Sequence, residues 1–263
     1  MKNIAIICDC DNTLMPDLPS LLLKDNEIEP QDFWDDIDLL VRDGWDPPIA
    51  WMTKLIKLIQ DEKIKQNTNE KLAEFSASVD VYPGSDTFIN EINSKLGTDS
   101  DVSVEGYVVS SGIESMMKGS KIANSFTDIF GGRLYEKDGI IAGIKSSITF
   151  TEKTKFIFAI NKGITSKIRE KPYDVNNFIS ESERRIPFEN MIYLGDGPSD
   201  IPCFSMIEKL GGTSIAIDSK DEWSKNWEYE MRSRKMDSFK PDYTSGSSLM
   251  GKIETIVSKL ITE

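Results

Sequence analysis

Histidine is absent from this 263-residue chain. Serine–histidine and cysteine–histidine relays are therefore excluded, as are histidine-ligated zinc sites. Proton transfer near neutrality must come from a carboxylate, lysine, tyrosine or cysteine tuned by its surroundings. Cysteine is sparse as well: only Cys8, Cys10 and Cys203 occur. Three are too few for a disulfide framework or for four soft metal ligands, so they read as small buried side chains. Positive charge is also short, with 31 Lys+Arg against 44 Asp+Glu and a formal balance of −13. No basic stretch of useful length occurs, which argues against nucleic acid and against anionic membrane surfaces as partners. No apolar run approaches the ~20 residues of a membrane helix. The opening Met1–Ile7 is too short for a signal-peptide core, so a cytoplasmic location is expected.

A hydrophobic fraction of 39% suffices for a core of one large domain or of a core plus a module. Residues 3–8, Asn-Ile-Ala-Ile-Ile-Cys, form a nearly continuous apolar run of the kind that fills a central parallel strand. The run stops at Asp9, Asp11, Asn12 and Thr13, as suits the carboxyl end of such a strand. Residues 16–80 differ. Prolines at 16, 19, 30, 47 and 48 punctuate them. The spacing predicts helices over about 30–42, 49–60 and 67–76, and no buried strand.

An α/β rhythm follows. Ser85 reads as a cap for a helix ending at Gly97. A strand is expected over 102–109 and a helix over 113–125. Short strands or a hairpin are expected within 130–147, and a helix over 151–162. Further helices are read at about 175–184, 201–209 and 249–261, with strands at 191–194 and 213–217. Residues 218–240 show no assignable pattern. Strand-like runs thus end at Asp9, at Ser110 and at Asp196, and parallel strands would bring these ends to one crevice. Carboxylates gathered there repel one another and call for a cation. Mg²⁺ suits an oxygen-only site that also receives a phosphate.

Each of these segments alone reads as a turn or a helix cap. In order they resemble the haloacid dehalogenase-like superfamily, in particular its C1-capped phosphatases related to phosphoserine phosphatase. The matching segments are Asp9-Cys10-Asp11-Asn12-Thr13, Val108-Val109-Ser110-Ser111-Gly112, a helix-opening lysine, and Gly195-Asp196-Gly197-Pro198-Ser199-Asp200. The lysine is Lys153, with Lys155 close enough to compete. The resemblance covers nearly the whole chain. It implies a Rossmann-like α/β parallel-sheet core, residues 1–15 and 81–263, flanked by helices, with a helical cap inserted at 16–80.

The resemblance also implies roles. Asp9 would be the nucleophile and a metal ligand. Asp11 would exchange protons with leaving group and water, its carbonyl facing the metal. Thr13 would hold the loop, Ser110 would bond a phosphoryl oxygen, and Lys153 would pair with the phosphate and Asp9. Asp196 would bind Mg²⁺ directly and Asp200 through water or by orienting ligands. Backbone N–H groups of residues 10–12 and 111–112 could cradle phosphate.

Asp11 favours phosphomonoester hydrolysis over carbon–halogen cleavage, because an alkoxide needs an acid to leave. A phosphonate-cleaving member would need a Schiff-base lysine, and nothing marks Lys24, Lys54 or Lys57 as desolvated. The expected substrate is a small phosphorylated molecule. Trp34, Trp45, Trp51, Arg42, Glu27 and Glu29 are the cap residues available to it, and Arg42 with Glu27 would suit phosphoserine. The alternative is a non-catalytic phosphate-binding or regulatory protein on the same fold.

Overall fold

In a computed structural model, the described residues are 2–97, 101–219, 231, 234 and 236–262. Most of the tract 218–240 therefore lies outside them. The strands among the described residues are β1 (Lys2–Cys8), β2 (Val102–Ile113), β3 (Asp128–Lys137), β4 (Ile140–Ser146), β5 (Met191–Gly195), β6 (Thr213–Ile217) and β7 (Ser238–Phe239). They form one sheet in the order β4-β3-β2-β1-β5-β6-β7, parallel except for the antiparallel β3–β4 hairpin.

The apolar run of β1 occupies the centre because both its faces are covered. Ile4, Ile6 and Cys8 join one cluster, packed with α5 (Phe88–Leu96) and the C-terminal helix α9 (Ser248–Thr262). Ala5 and Ile7 join the other, packed with α7 (Glu152–Lys162) and α8 (Ile201–Lys209). This is the alternation that strand geometry imposes. The three cysteines are free and buried. Among the described residues, no helix is long and apolar enough to cross a membrane.

Four helices follow β1: α1 (Leu18–Asp25), α2 (Pro30–Arg42), α3 (Pro47–Gln60) and α4 (Asn69–Ala77). Three open on a proline in the first turn, where its missing N–H costs nothing. Asp17, Glu29 and Asp46 accept backbone N–H groups as their N-caps. Pro16 and Pro19 had hidden α1 from the sequence reading. Pro19 instead sits in the first turn of that helix, which opens at Leu18, with Asp17 accepting from Ser20 N.

The helical segment is fastened to the sheet. Ile141 N donates to Asn67 O at 2.9 Å, and Asn69 Nδ2 donates to Glu136 Oε1 at 2.9 Å. Helix α4 also meets α6 (Glu114–Gly119) so closely that a Cβ at Gly119 would lie 2.3 Å from Ala73 O.

Several expectations need correction. No α-helix spans 175–184; short 3₁₀ turns stand at Pro172–Asn176 and Glu181–Glu183. None of their residues is buried, so no apolar face rewards a longer helix. Ser85 does not cap α5; its hydroxyl donates to Leu14 O at 2.7 Å, and Thr87 holds the cap position. Strand β2 continues four residues beyond 109, to Ile113. The stretch after it divides into α6 and a 3₁₀ turn at Lys121–Asn124.

Two glycines should respond oppositely to alanine. Gly119→Ala forces backbone apart and is expected to cost about 1–3 kcal/mol. Gly251→Ala, inside α9 with no atom within 4 Å of the new Cβ, is expected to add about 0.5–1 kcal/mol. Urea unfolding of both variants checks the pair of signs.

Candidate active site

Strand order β2-β1-β5 sets the carboxyl ends of three strands side by side. Cys8 pairs with Val108 on one flank and Leu194 on the other. Asp9 therefore emerges between Ser110 and Asp196, residues far apart in the chain. The Asp9 N–H still bonds Leu194 O at 2.9 Å, which fixes where its side chain starts.

The Asp9 carboxylate is held at both oxygens. Oδ1 accepts from Cys10 N at 2.7 Å, and Oδ2 accepts from Lys153 Nζ at 2.9 Å. Lys153 is fully buried and also donates to Asp200 Oδ1 at 2.7 Å and Ser199 Oγ at 3.2 Å. Burial alone would lower the Lys153 pKa, but the Asp200 and Asp9 carboxylates override it and raise it. The ammonium is therefore charged. Lys155 pairs with Glu152 instead and sits over the Phe156 ring. Of the two candidate lysines, Lys153 is the one beside Asp9.

Asp200 is buried completely and multiply bonded. Tyr193 Oη donates to its Oδ1 at 2.7 Å and Gly197 N to its Oδ2 at 3.1 Å. Gly195 must lack a side chain here, because a Cβ would stand 2.4 Å from the Asp200 carboxyl carbon. Burial pushes the Asp200 carboxyl up, while Lys153 opposes that shift.

Asp196 receives a long contact from Thr13 Oγ1 at 3.4 Å. The Thr13 carbonyl is anchored by Tyr243 Oη at 2.9 Å. Asn12 takes φ 58°, a left-handed turn that asparagine tolerates.

Asp11 lies against Gly112, where a Cβ would be 3.0 Å from its Oδ2. Its Oδ1 accepts from Leu18 N at 2.9 Å. Desolvation, then the Asp17 carboxylate, pushes the Asp11 carboxyl well above its ordinary range. Its side chain stands apart from the grouping formed by Asp9, Asp196 and Asp200. Ser110 is buried, and its Oγ accepts from Gly112 N at 3.1 Å. The backbone cradle is partly spent internally: Cys10 N, Asn12 N and Gly112 N already bond Asp9, Met15 O and Ser110.

One carboxylate oxygen from each of Asp9, Asp196 and Asp200 lies within 4.8 Å of the others. Oxygens on opposite sides of an octahedral ion with bonds of ~2.1 Å stand about 4.2 Å apart, so the grouping fits one hard divalent cation. All three donors are oxygens, which suits Mg²⁺. Both Asp200 oxygens already accept from protein donors.

These groups open onto a cleft of about 260 Å³ between the sheet edge and the helical segment. Asp9, Asp11, Ser110 and Asp196 form its floor. Trp34 and Trp51 are on its wall; Trp45, Arg42, Glu27 and Glu29 are not among its lining residues. A larger hollow of about 670 Å³ beside α7, near Tyr173, contains none of the four acids.

The sequence reading missed Tyr193, which fixes Asp200, and Asp17, which lines the cleft. The Asp-Leu-Pro run at a helix start was a legible cap signal for Asp17. Tyr193 gave none, being one apolar-run residue among several.

The same fold recurs in known proteins. A solved hydrolase of the HAD family from Salmonella enterica serovar Typhi superposes with a TM-score of 0.59, at 16% identity, over 90% of this chain and 68% of its own. The fold is that of the haloacid dehalogenase-like hydrolases. Phosphoserine phosphatase in its apo form superposes with a TM-score of 0.54, at 18% identity, over 92% of this chain and 95% of its own. Cytosolic 5'-nucleotidase IIIB bound to cytidine gives 0.50 at 18% identity, over 97% and 85%. Such identities extend to the haloacid dehalogenase-like fold and not to a substrate. In sequence, a protein of Borreliella burgdorferi described only as uncharacterized is 28% identical over 94% of this chain and 93% of its own. No family model matches the chain.

Asp11 gives a pH test made without divalent cations. A carboxyl raised on folding favours the native state fully below its unfolded pKa, near 3.8, and that advantage disappears as pH rises through the folded value. Asp11→Asn, which keeps the acceptor for Leu18 N, should therefore be more stable than the parent at pH 7. The gain should shrink to nothing near pH 3.5. Thermal unfolding at both pH values measures it.

Proposed function

We propose that this chain is a Mg²⁺-dependent phosphomonoester hydrolase that acts on a small phosphorylated metabolite through an aspartyl-phosphate at Asp9. The observation that carries the proposal is the Asp9 carboxylate, held by the Lys153 ammonium, grouped with Asp196 and Asp200, and facing a cleft beside Asp11. Resemblance of the fold to phosphatases adds support.

In the first step an Asp9 oxygen attacks phosphorus and the ester oxygen departs. Asp11, whose raised pKa keeps a proton available, donates it to that oxygen, so the alcohol leaves neutral. In the second step Asp11 accepts a proton from water, whose oxygen attacks the same phosphorus. Asp9 is regenerated and inorganic phosphate is released. Ser110 donates its hydroxyl to a phosphoryl oxygen, and Lys153 offsets charge on the phosphoryl group. With Asp200 acting through water or by orienting the others, Asp9, Asp196 and the Asp11 carbonyl would hold Mg²⁺. Its chemistry there would be to neutralise the crowded anions of site and substrate.

Residues 16–80 serve as a cap over a core of residues 1–15 and 81–263. Such a cap excludes water from the reacting centre and limits substrates to small ones.

Hydrolysis of p-nitrophenyl phosphate tests the proposal. Turnover should require Mg²⁺ and fall to background in Asp9→Asn. Asp11→Asn should lose about 10²–10⁴-fold on an alkyl phosphate. It should lose less on p-nitrophenyl phosphate, whose leaving group needs little protonation. Parental rates in Asp9→Asn would refute the nucleophile. A parent chain that binds phosphate but turns nothing over would favour the non-catalytic alternative.

A further inference from the structure

Strand β2 contains two glycines at which an added Cβ would be equally crowded, for different reasons. At Gly106 it would lie 3.0 Å from Ile89 Cγ1 and from Phe126 Cδ1, inside the apolar packing between β2 and α5. At Gly112 it would lie 3.0 Å from Asp11 Oδ2. The next described atoms there, Ser110 Oγ and Met117 Sδ, are at ordinary contact distances of 3.5 and 3.9 Å. Neither glycine has a positive φ, so the backbone conformation does not call for glycine at either position. What Gly112 leaves open is the space beside the Asp11 carboxyl.

Asp11 is held from two sides. Leu18 N, at the start of α1, donates to its Oδ1 at 2.9 Å. Gly112, near the end of β2, faces its Oδ2. A carboxyl whose one oxygen accepts an N–H carries its proton on the other, so Oδ2 is the oxygen with a proton to give. The point beside Gly112 that lies 3.0 Å from Oδ2 is 3.5 Å from Ser110 Oγ, and Asp11, Ser110 and Gly112 all line the cleft. Acid, glycine and phosphoryl-oxygen donor thus meet at one corner. A carbon placed 3.0 Å from Oδ2 is too close, and one of the two must give by a few tenths of an ångström. With Oδ1 tied to Leu18 N, the carboxyl cannot retreat without turning or releasing that bond.

We infer that Gly112 is a positioning residue for the proton transfer: its lack of a side chain aims Asp11 Oδ2 at the ester oxygen of the substrate. The inference rests on the phosphohydrolase reading above and adds to it a residue that acts through Asp11. As the phosphorus–oxygen bond breaks, its electron pair stays with the ester oxygen and the Oδ2 proton joins it, so the alcohol leaves neutral. A Cβ at position 112 turns Oδ2 off that line. The loss then falls hardest on leaving groups that bear negative charge poorly.

The test measures kcat/KM for phenyl phosphate and for p-nitrophenyl phosphate, two esters of similar shape. Phenoxide is the poorer leaving group and depends more on the acid. The ratio of the two rates is read within one preparation, so any loss of folded protein cancels. Gly112→Ala should lower the phenyl-to-nitrophenyl ratio about tenfold, a part of the ~10²–10⁴-fold that a positioned acid supplies. Gly106→Ala, crowded to the same degree away from the site, should keep the parental ratio. Asp11→Ala removes the atom that the new Cβ meets, so adding Gly112→Ala to it should not lower the ratio further. An unchanged ratio in Gly112→Ala, with both esters slowed alike or neither slowed, would overturn the inference alone. So would an equal fall in Gly106→Ala, or a further fall in the double variant. A parental ratio in Asp11→Ala would overturn the acid role of Asp11, and no hydrolysis of either ester would overturn the phosphohydrolase reading; the inference falls with either.

Discussion

One buried ammonium organises the site. Lys153, at the start of α7, reaches Asp9 at the end of β1 and Asp200 at the start of α8. Residues 144 and 47 positions from it in the chain are thereby joined through a single charge. Such a cluster is costly to assemble, since several kcal/mol per ion are lost on leaving water. Its value lies in position. Asp9 cannot swing away from the crevice, and Asp200 cannot rotate, because every oxygen on the two carboxylates has a protein donor. Asp9, Asp196 and Asp200 outnumber the one ammonium among them. That imbalance is what suits the site to a divalent cation and a phosphate together.

The helical segment completes the cleft and is not loosely attached. Its far end is stitched to the β3–β4 hairpin at Asn67 and Asn69, and α4 meets α6 through the bare backbone of Gly119. The near end, α1 and α2, carries Asp17, Ser20 and Trp34, which are linked to each other, and Leu18 N at the start of α1 donates to Asp11.

The sheet was legible in the sequence because its strands are short apolar runs that stop at polar residues. The run before Asp9 and the run before Gly195 are buried on both faces, and nothing else satisfies such runs. The convergence of Asp9, Ser110 and Asp196 followed from parallel pairing alone. What lay beyond the sequence were features decided by tertiary contact. Helix α1 was masked by two prolines that sit before it and in its first turn. The tract 175–184 had helical spacing but no surface to bury against. Ser85 looked like a cap and was recruited by Leu14 across the chain. Lys153 and Lys155 differ by two positions, which is about 200° around a helix. The apolar spacing at Phe156, Ile157 and Ile160 favoured Lys153, and the packing of α7 against β2 and α8 buries it while Lys155 stays partly exposed.

The central claim is that Asp9 accepts the phosphoryl group beside a cation shared with Asp196. A crystal structure of the chain with Mg²⁺ and beryllofluoride, a mimic of the phosphoryl group on aspartate, tests it directly. The account predicts a beryllium centre bonded to an Asp9 oxygen and a metal ion in contact with both Asp9 and Asp196. Beryllofluoride on another residue, or a metal bound away from Asp9 and Asp196, would contradict it.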